Sequence, residues 1–505
     1  MDDKTVVIIG AGFAGLSAGI YAQMNGYQSE IYEMSDLPGG LCTSWKRKGY
    51  TIDGCIHWLV GSSPKSSLYR LWQEVGLTQG RTFIDHDQFM RFEGADGRTF
   101  VVYTDVDRLE KHMLALAPQD AALTRQFIRG VRLGIAFDAA QPLPTDSKGQ
   151  KLAKRLRMLA LMVGQGKDFQ SWMKVTAQEF ADRFQDPLLR QAMVEMWFPE
   201  FSMFFILFTL AYLHNQNAGY PIGGSLPMSR ALEKRYIGLG GQIHYHSKVD
   251  KVLVADDRAV GIRLADGREV RAGRVVSAAD GYTTIFKMLE GKYTDEKVRE
   301  PYEKWPLFPS LIYIGLGIKR RFEEVPPTVS GISFPLREPV EIGDRTYERI
   351  QVHAFNHDPT LAPEGKTSVG VMLPSSYQYW KELAQDETAY EEKKAQVARI
   401  MVSLLEQRFP GIAEEVEMVD VATPLTFERY TGNWQGSFEG WLITPQNAGV
   451  VMRPMSQTLP GLENFYMCGQ WVEPGGGLPT GLVSGRRLVQ GLCKADGKVF
   501  EAKVV

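Results

Sequence analysis

The residues best suited to chemistry lie in a glycine-rich turn near the start of the chain. Gly10, Gly12 and Gly15 form a GxGxxG pattern that follows a short apolar run, Thr5–Ile9, and opens into a helical pattern. In such a unit the first glycine permits a tight turn, the second lets backbone approach a pyrophosphate, and the third lets the helix pack closely on the strand. The N-terminus of the helix adds free N–H groups and a partial positive charge. The spacing therefore predicts a phosphate-binding turn.

An acidic residue completes this unit. Gly26 ends the predicted helix, and a second strand pattern, Ser29–Tyr32, leads directly to Glu33. A carboxylate at the end of the second strand is placed to accept hydrogen bonds from ribose hydroxyls. We therefore expect an adenine dinucleotide without a 2′-phosphate. The alternative is a glycine-rich turn that binds no ligand.

A histidine lies in another segment that suits the same ligand. Gly39-Gly40 again allows backbone to approach a phosphate, and the alternating stretch 49–58 then runs into a turn that contains His57. Because imidazole titrates near neutral pH, His57 is the candidate catalytic residue, which would orient a substrate or exchange a proton. The alternative is a histidine that only holds loop backbone together.

Length and composition set the class of protein. A chain of 505 residues with 44% hydrophobic residues predicts a globular enzyme of two domains, one of which is inserted in the other. A net charge of −2 argues against a nucleic-acid partner, and four cysteines without a CxxC pair predict neither a disulfide framework nor a metal site. With the first strand at about residue 5, the sequence predicts no targeting peptide and a cytoplasmic location.

Three motifs carry a family resemblance. GxGxxG followed by Glu, then PGGLCTSW, then GYTIDGCIHWLVG resemble the FAD oxidoreductase family of phytoene and carotenoid desaturases, carotenoid isomerases and retinol saturases. The resemblance implies an α/β fold, with an FAD-binding Rossmann-like domain of the glutathione-reductase and amine-oxidase type and an inserted α+β substrate domain. The expected FAD-binding domain comprises residues 1–104, 222–290 and 425–505, and the expected substrate domain comprises residues 105–221 and 291–424.

The same resemblance implies one non-covalent FAD, with NAD(P)H only as a transient reductant. The cofactor-binding residues that it implies are Gly10, Gly12, Phe13, Ala14, Gly15, Glu33, Met34, Gly40, Leu41, Cys42, Ile56, His57, Val249, Gly469, Gln470, Gly477, Leu478 and Thr480. Leu41 stands where many members carry Arg, and Gln470 replaces the usual Asp, although a neutral amide can still bond a ribityl hydroxyl. Val249 would contact the adenine or simply belong to the core.

The middle of the chain changes character. Residues from about 103 to 221 are rich in Leu and Met at helical spacing, and the apolar run Phe201–Leu213 is shorter than the ~20 residues that a spanning helix needs. It predicts a buried helix or a cavity wall. The candidate lining residues are Phe201, Phe204, Phe205, Phe208 and Tyr212, which core packing explains equally well.

A basic amphipathic helix is predicted upstream of this run. Lys151–Val163 places its apolar residues on one stripe and its basic residues largely off it. Such a helix either lies in a membrane interface or docks on the protein surface, so peripheral membrane contact is one of two interpretations.

The second half predicts a sheet and a closing helix. Ser310–Ile318 and Arg349–Ala354 have strand patterns, Thr388–Arg408 has a helical pattern, and the glycine-rich loop Gly475–Gly477 precedes a helix predicted from Leu482.

Three functional hypotheses follow from these patterns. The first is an FAD-dependent oxidoreductase that desaturates, saturates or isomerises an apolar isoprenoid, carotenoid or retinoid-like lipid through hydride or electron exchange. The second is an amine-oxidase-like flavoenzyme, which would want an aromatic cage and a lysine that the sequence does not single out. The third is a flavin-free prenyl-lipid-binding protein on the same scaffold, as in the Rab-escort and GDP-dissociation-inhibitor branch. The complete glycine motifs argue against the third.

Overall fold

A computed structural model describes residues 4–143, 146–451 and 453–504. The strands in these ranges are β1 (Thr5–Ile9), β2 (Gln28–Tyr32), β3 (Ser44–Arg47), β4 (Tyr50–Asp53), β5 (Leu59–Val60), β6 (Phe83–Ile84), β7 (Gln88–Glu93), β8 (Thr99–Tyr103), β9 (Ala218–Pro221), β10 (Gln242–His244), β11 (Val249–Ala255), β12 (Arg258–Leu264), β13 (Glu269–Arg271), β14 (Arg274–Ser277), β15 (Leu311–Ile318), β16 (Ile332–Ile342), β17 (Arg345–Ala354), β18 (Thr367–Pro374), β19 (Val416–Ala422) and β20 (Phe465–Met467).

The α-helices in the same ranges are α1 (Phe13–Met24), α2 (Tyr69–Glu74), α3 (Val106–Leu116), α4 (Ala121–Ala139), α5 (Lys148–Met173), α6 (Ala177–Ala181), α7 (Pro187–Glu195), α8 (Met203–His214), α9 (Ser225–Gly238), α10 (Glu296–Lys304), α11 (Tyr377–Leu383), α12 (Glu387–Arg408), α13 (Pro424–Thr431) and α14 (Gly477–Ala495).

A parallel sheet forms the first core. Its strand order is β10-β2-β1-β14-β20, and every neighbouring pair is parallel. The central strand β1 is apolar and buried on both faces, as expected where helices cover a parallel sheet. Helix α1 connects β1 to β2 and packs against α9 and α14. This arrangement confirms the predicted α/β, Rossmann-like class.

Helices α1 and α14 pack closely because one of them carries a glycine at the crossing point. A Cβ atom on Gly485 would lie 2.7 Å from the backbone N of Ala18 and 2.8 Å from the carbonyl O of Ala14. The Ser17 hydroxyl also donates to the carbonyl of Leu482 at 2.9 Å. The first and last segments of the chain therefore lie against each other.

Helix α14 begins at Gly477, five residues before the predicted start at Leu482. Gly476 has a φ of 73°, a conformation that glycine adopts without cost, and it turns the chain into the helix. Pro479 lies in the first turn, where a helix needs no N–H donor, so it does not delay the start.

A mixed sheet forms the second core. Its strand order is β19-β15-β18-β17-β16-β7-β8, and all neighbours are antiparallel except the pair β16 and β7. The predicted strands at Ser310–Ile318 and Arg349–Ala354 correspond to β15 and to the end of β17, and α12 matches the predicted helix to within one residue. The predicted boundary at residue 104 put β7 and β8 with the parallel unit, whereas the structure pairs both with the second sheet.

The two cores meet where β4 crosses β15. A Cβ on Gly315 would lie 2.8 Å from the Ile52 side chain, and one on Gly317 would lie 2.5 Å from the Tyr50 ring. Small residues on β15 thus let the hairpin of β3 and β4 lie flat on the second sheet.

A helical group, α3 to α8, covers one end of the second sheet. The predicted buried helix is α8, whose side chains enter a core shared with α3, α4, α6 and α7. Among the described residues, no helix combines the length and the apolar character that crossing a membrane requires. Helix α5 has 26 residues, of which only Trp172 is buried.

Four buried or half-buried histidines form a cluster between the cores. His57 and His353 have ring centroids 4.9 Å apart, His353 and His357 are 6.0 Å apart, and His357 and His86 are 4.5 Å apart. Both ring nitrogens of His353 and of His357, and Nε2 of His86, have no hydrogen-bond partner among the described residues. Burial lowers the pKa of His57 and of His86 to about 4 and that of His357 to about 3. The cluster is therefore neutral at pH 7.

We expect the contribution of these histidines to the free energy of unfolding to fall as the pH falls from 6.5 toward 4. In that window the unfolded chain binds protons at these histidines and the folded chain does not, so acid favours unfolding. For a buried imidazole such as His86, the contribution to the free energy of unfolding decreases by about 2 kcal/mol between pH 7 and pH 5. Denaturant titrations of the protein at both pH values measure it.

His353→Phe isolates the contribution of the cluster. The ring of His353 borders a cavity of ≈ 20 Å³, which leaves room for the larger ring. The difference in stability between pH 7 and pH 5 should be smaller in H353F than in the parent protein. The control, His246→Asn, changes an exposed histidine at a φ of 51° that asparagine tolerates, and it should leave the difference unchanged. Equal pH dependence in all three proteins would contradict the prediction.

Candidate functional site

The glycine turn after β1 faces a second glycine pair. Gly12 forms an isolated parallel bridge with Gly39, and the Gly39 N–H donates to the carbonyl of Ala11 at 2.8 Å. A Cβ on Gly40 would lie 3.5 Å from the Cα of Gly12. The glycine turn and the double glycine, which are separated in the sequence, thus form one backbone surface.

This surface can accept an anion. No side chain caps the N-terminus of α1, so the first N–H groups of the helix, at Phe13, Ala14 and Gly15, have no partner within the helix. A Cβ on Gly12 would meet only the Gly39 carbonyl within 4 Å, at 3.9 Å, so the space beside it is open. Free N–H donors, a helix dipole and this space fit the pyrophosphate of a dinucleotide.

The Glu33 carboxylate lies beside the turn. Its Oε2 accepts from the Ala11 N–H at 2.6 Å, and its Oε1 accepts from the Ser35 N–H at 2.8 Å. Burial raises the pKa of Glu33, and these backbone N–H bonds oppose the rise. The carboxylate is therefore held in place next to the glycine turn, where the ribose of a dinucleotide would lie.

The link between β10 and β11 runs along the same edge. The Ser247 N–H donates to the carbonyl of Glu33 at 2.7 Å, and Val249 follows two residues later. The Val249 side chain is buried in the core with Ile9 and Tyr32. The sulfur atom of Met34, the residue after Glu33, lies 3.5 Å from the position that a Cβ atom on Gly432 would occupy.

The C-terminal glycines come to the opposite side of the turn. A Cβ on Gly469 would lie 3.2 Å from the Cβ of Ala14, and one on Gly481 would lie 3.4 Å from the Cβ of Phe13. The Gly469 N–H donates to the Ser484 hydroxyl at 2.8 Å. The structure therefore brings together the glycine motifs from the two ends of the chain.

The neighbours of these glycines have partners within the protein. The Gln470 side-chain amide donates to Oδ1 of Asn433 at 3.0 Å, so its N–H group binds protein. The Thr480 hydroxyl donates to the carbonyl of Gly477 at 2.8 Å in the first turn of α14. Leu478 packs against the core cluster that also contains Phe13.

A buried carboxylate positions the turn that carries Ile56 and His57. Asp53 Oδ1 accepts from the N–H groups of Cys55 and Ile56 at 3.0 and 3.1 Å, and its Oδ2 accepts from the Ser225 N–H at 2.6 Å. Burial raises the pKa of Asp53, and these hydrogen bonds oppose the rise. Asp53 thus ties the turn to the N-terminus of α9.

His57 lies outside the hydrogen-bonded glycine loops. It is in the histidine cluster described above, and it borders the ≈ 20 Å³ cavity together with Tyr313 and His353. Such a cavity holds about one water molecule. The structure places His57 between the cores, and its ring has no charged partner in the part of the chain that the structure describes.

The double-glycine segment continues into a thiol pair. Leu41 is half-buried, and its carbonyl accepts from the Thr43 N–H at 3.0 Å. The Cys42 carbonyl accepts from the Ser229 hydroxyl at 2.7 Å, and its thiol contacts that of Cys55, whose pKa this contact and burial raise. Both cysteines are free thiols. Among the described residues, no group of His, Cys, Asp or Glu side chains has the arrangement of a metal site.

Aromatic residues of α8 reach the C-terminal glycine loop. The Phe205 ring lies 3.9 Å from a Cβ position on Gly475. Behind it, ring centroids of Phe204 and Phe205 are 5.3 Å apart, and those of Phe204 and Phe208 are 4.3 Å apart. Phe201 and Phe204 are buried, whereas Phe205, Phe208 and Tyr212 are half-buried. An apolar aromatic surface therefore adjoins the loop.

Sequence reasoning missed three polar residues at this site. Asp280 accepts from the N–H groups of Thr283 and Trp434 at 2.7 and 2.9 Å, and burial raises its pKa to about 6. Asn433 binds Gln470, and Glu439 accepts from the Gly477 N–H at 3.0 Å. None lies in a glycine motif, so no local spacing signals them.

Comparison with known proteins agrees with this geometry. The model of a protein family described as "Flavin containing amine oxidoreductase" matches residues 13–493. The chain is similar to a chloroplastic prolycopene isomerase of an Oncidium hybrid cultivar, with 25% identity covering 96% of this chain and 83% of the isomerase. It is also similar to a lycopene-forming phytoene desaturase of Pseudescherichia vulneris, with 25% identity covering 98% of this chain and 99% of the desaturase.

Solved structures show the same fold. Cyclohexylamine oxidase of Brevibacterium oxydans superposes with a TM-score of 0.61 at 14% identity, covering 98% of this chain and 99% of the oxidase. The family match extends from the start of α1 to the last turn of α14, so it covers the Gly39-Gly40 pair and the C-terminal glycine loop, whereas Gly10 and Gly12 lie just before it. The chain therefore belongs to the family of flavin containing amine oxidoreductases.

Proposed function

We propose that this protein is an FAD-dependent oxidoreductase that acts on carbon–carbon bonds of an apolar isoprenoid of the carotenoid or retinoid kind. The reaction is a desaturation, saturation or isomerisation. Family membership supports the flavin, and the relatives named for polyene substrates, which align over nearly the whole chain, support the substrate class. The observation that carries the proposal is the contact of Phe205 with the Gly475 position, because it joins an apolar aromatic surface to a glycine loop.

The cofactor would be held non-covalently by backbone and by one carboxylate. Gly10 to Gly15 and Gly40 would receive the pyrophosphate, Glu33 the ribose, and the loop around Gly469 and Gly477 the flavin side. Leu41, Cys42, Ile56 and Val249 would complete the walls through packing and backbone. When bound, FAD supplies hydride or electron exchange with the substrate. The protein supplies position and excludes water.

Two finer assignments belong to this proposal. His57 would orient the substrate or exchange a proton, because a neutral imidazole in a small cavity can do either. NAD(P)H would serve only as a transient reductant, since the sequence has one strand-linked GxGxxG turn and that turn would hold FAD.

The amine-oxidase hypothesis has less support. The solved amine oxidases resemble this chain at about 14% identity, which reflects a shared fold, whereas relatives at 25% identity are carotenoid enzymes. The flavin-free hypothesis conflicts with membership in a flavin-containing family and with the uncapped N–H groups of α1.

We also propose that the protein is cytoplasmic and that it contacts anionic membranes through α5. Leu152, Leu156, Leu159 and Val163 form one stripe, and their side chains are 59, 58, 61 and 81% exposed. Basic residues such as Arg155 and Arg157 are exposed beside the stripe. A stripe of exposed leucines flanked by arginines fits the interface of an anionic bilayer.

The same helix leads toward the aromatic surface. Phe169, near the end of α5, has its ring 4.8 Å from that of Phe204 and 5.9 Å from that of Phe208. A substrate dissolved in a bilayer would therefore enter along apolar side chains, from α5 through α8 to the glycine loop.

The central test of this function is the colour of the purified protein and its reaction with polyenes. We expect the visible absorbance of oxidised flavin, and for a desaturation we expect carotenoid or retinoid substrates to bleach it under anaerobic conditions. For a saturation or an isomerisation, the protein with reduced flavin should instead convert the polyene. A panel of amines is the matched control and should not bleach the oxidised flavin. Bleaching by amines alone would favour the second hypothesis, and a colourless protein that binds no FAD would favour the third.

Gly12→Ala tests the proposed pyrophosphate surface. The φ of Gly12 is −67° and the protein leaves its Cβ position open, so G12A should fold with unchanged stability. The methyl group would instead meet the cofactor, and we expect FAD affinity to fall about tenfold to a hundredfold. Fluorescence titration with FAD measures this change. Gly491→Ala in α14, where a Cβ meets no atom within 4 Å, is the control. Equal FAD affinities of the two variants would refute the placement.

Leu156→Gln combined with Leu159→Gln tests the membrane surface. Both side chains are exposed, so the fold should persist, while binding to anionic liposomes at low salt should weaken at least about tenfold. Co-sedimentation measures the bound fraction. Ile237→Gln on α9, at a residue that is 51% exposed, should bind as the parent does. A parent protein that stays wholly in the supernatant would disprove membrane contact.

A further inference from the structure

Glu439 lies between the aromatic surface and the C-terminal glycine loop. The residue before it, Phe438, has its ring 5.3 Å from that of Phe308 and 6.1 Å from that of Phe198. The residue after it, Gly440, packs on Gln470, with its Cβ position 3.2 Å from the Gln470 Cγ. The Glu439 side chain thus extends from an apolar cluster to the C-terminal glycine loop, which would adjoin the flavin.

The carboxylate is held at one oxygen only. Oε1 accepts from the Gly477 N–H at 3.0 Å, at the start of α14. Oε2 lies against Gly476, where any Cβ would collide with it, and it has no hydrogen-bond partner in the described part of the chain. Glu439 therefore has a fixed position and one oxygen that is available.

The other buried carboxylates near the site differ in this respect. Both oxygens of Glu33 accept backbone N–H bonds, and so do both oxygens of Asp280. Asp53 is bonded at both oxygens by its own turn and by Ser225. These three carboxylates hold backbone in place, whereas Glu439 retains a free acceptor.

The environment of Glu439 suits proton exchange at neutral pH. Burial raises its pKa to about 7, and the Gly477 N–H bond opposes the rise. No ion pair joins Glu439 to a cation among the described residues, and its charge is one cause of the raised pKa of the Cys55 thiol. On the loop side, Glu473 pairs with Arg487 at 2.8 Å. A base is most effective when its pKa lies near the working pH.

Desaturation needs a base that accepts a proton from the substrate. Converting a CH–CH unit into C=C removes one hydride, with both electrons of its C–H bond, for which bound FAD would supply the acceptor, and one proton from the adjacent carbon. A polyene packed against these aromatic side chains would exclude water that could receive that proton, and His57, whose pKa burial lowers to about 4, is a weaker base.

We propose that Glu439 is a catalytic residue whose Oε2 accepts this proton, an inference that rests on the proposed function. The C–H electron pair left by the proton becomes the second bond of the new alkene, so atoms and electrons balance. In the reverse direction, the protonated carboxyl group returns the proton to the same carbon. The Gly477 N–H holds the carboxylate toward the substrate in both directions.

Glu439→Gln tests this role. The amide oxygen can still accept from Gly477, so E439Q should fold and load FAD with the parent's stoichiometry and with an affinity within a few-fold. Anaerobic bleaching by a polyene should slow about a hundredfold or more, because the amide takes no proton. In the parent the bleaching rate should rise with pH through about 7, and E439Q should lack that rise.

An infrared measurement provides a readout that needs no turnover. Difference spectra of the FAD-loaded protein between pH 6 and pH 8 should show protonated carboxyl groups that disappear with rising pH. E439Q should lack the component that titrates near pH 7, whereas the component of Asp280, which titrates near pH 6, should remain. Asp138→Asn is the control, because burial also raises the pKa of Asp138 while Asn215 and Asn217 hold it away from the loop. D138N should keep both the signal near pH 7 and the pH profile of the rate.

The outcomes of these experiments distinguish a failure of the proposed role of Glu439 from a failure of the proposed function. Normal bleaching of E439Q with an unchanged pH profile overturns the role of Glu439 and leaves the proposed function standing. FAD-loaded parent protein that no polyene bleaches when the flavin is oxidised, and that neither saturates nor isomerises a polyene when the flavin is reduced, overturns both. If E439Q loads no FAD, Glu439→Asp decides: a slower enzyme with the pH rise retained supports the role, and loss of the rise contradicts it.

Discussion

The close packing of α1 against α14 is the constraint on which the rest of the structure depends. Because Gly485 has no side chain, the two helices approach until its α-carbon faces the backbone of Ala14 and Ala18. That approach also sets Gly469 and Gly481 beside the first turn of α1. A single helix contact thus aligns two N-terminal dipoles and two glycine segments around one space. Any side chain at Gly485 would push these walls apart.

A second constraint joins the apolar part of the molecule to that space. Small residues on β15 let the hairpin of β3 and β4 lie across the second sheet, and the turn after β4 is tied by Asp53 to the start of α9. Helix α8 then reaches Gly475 from the other side. The result is a polar backbone surface and an aromatic surface in contact, which is what a charged cofactor and a hydrocarbon substrate need from one protein.

Local patterns predicted the elements whose structure depends on neighbours in sequence. The unit from β1 to Glu33, the long helix α12 and the strands of the second sheet were predicted because glycine spacing and periodicity are local signals. The start of α14 was predicted too late, since Pro479 reads as a helix breaker unless the turn at Gly476 is known. The pairing of β7 with β16 was not predicted because it joins segments more than two hundred residues apart.

The chemistry of individual side chains was the least predictable part. Asp53, Asp280 and Glu439 acquire their properties from burial and from backbone donors that other segments supply. His57 was singled out from its motif, but its three histidine neighbours come from elsewhere in the chain. Such clusters arise only in three dimensions, and composition carries no trace of them.

The contact between the two ends of the chain also bears on biosynthesis. A ribosome releases the segment from β1 to Glu33 before the segment from β20 to α14, so the nascent protein exposes one wall of the cleft until the second segment emerges. Until α14 emerges, the apolar faces of α1 that it covers are open to solvent and to chaperones. Burial of α1 and completion of the cleft therefore both wait for the synthesis of α14.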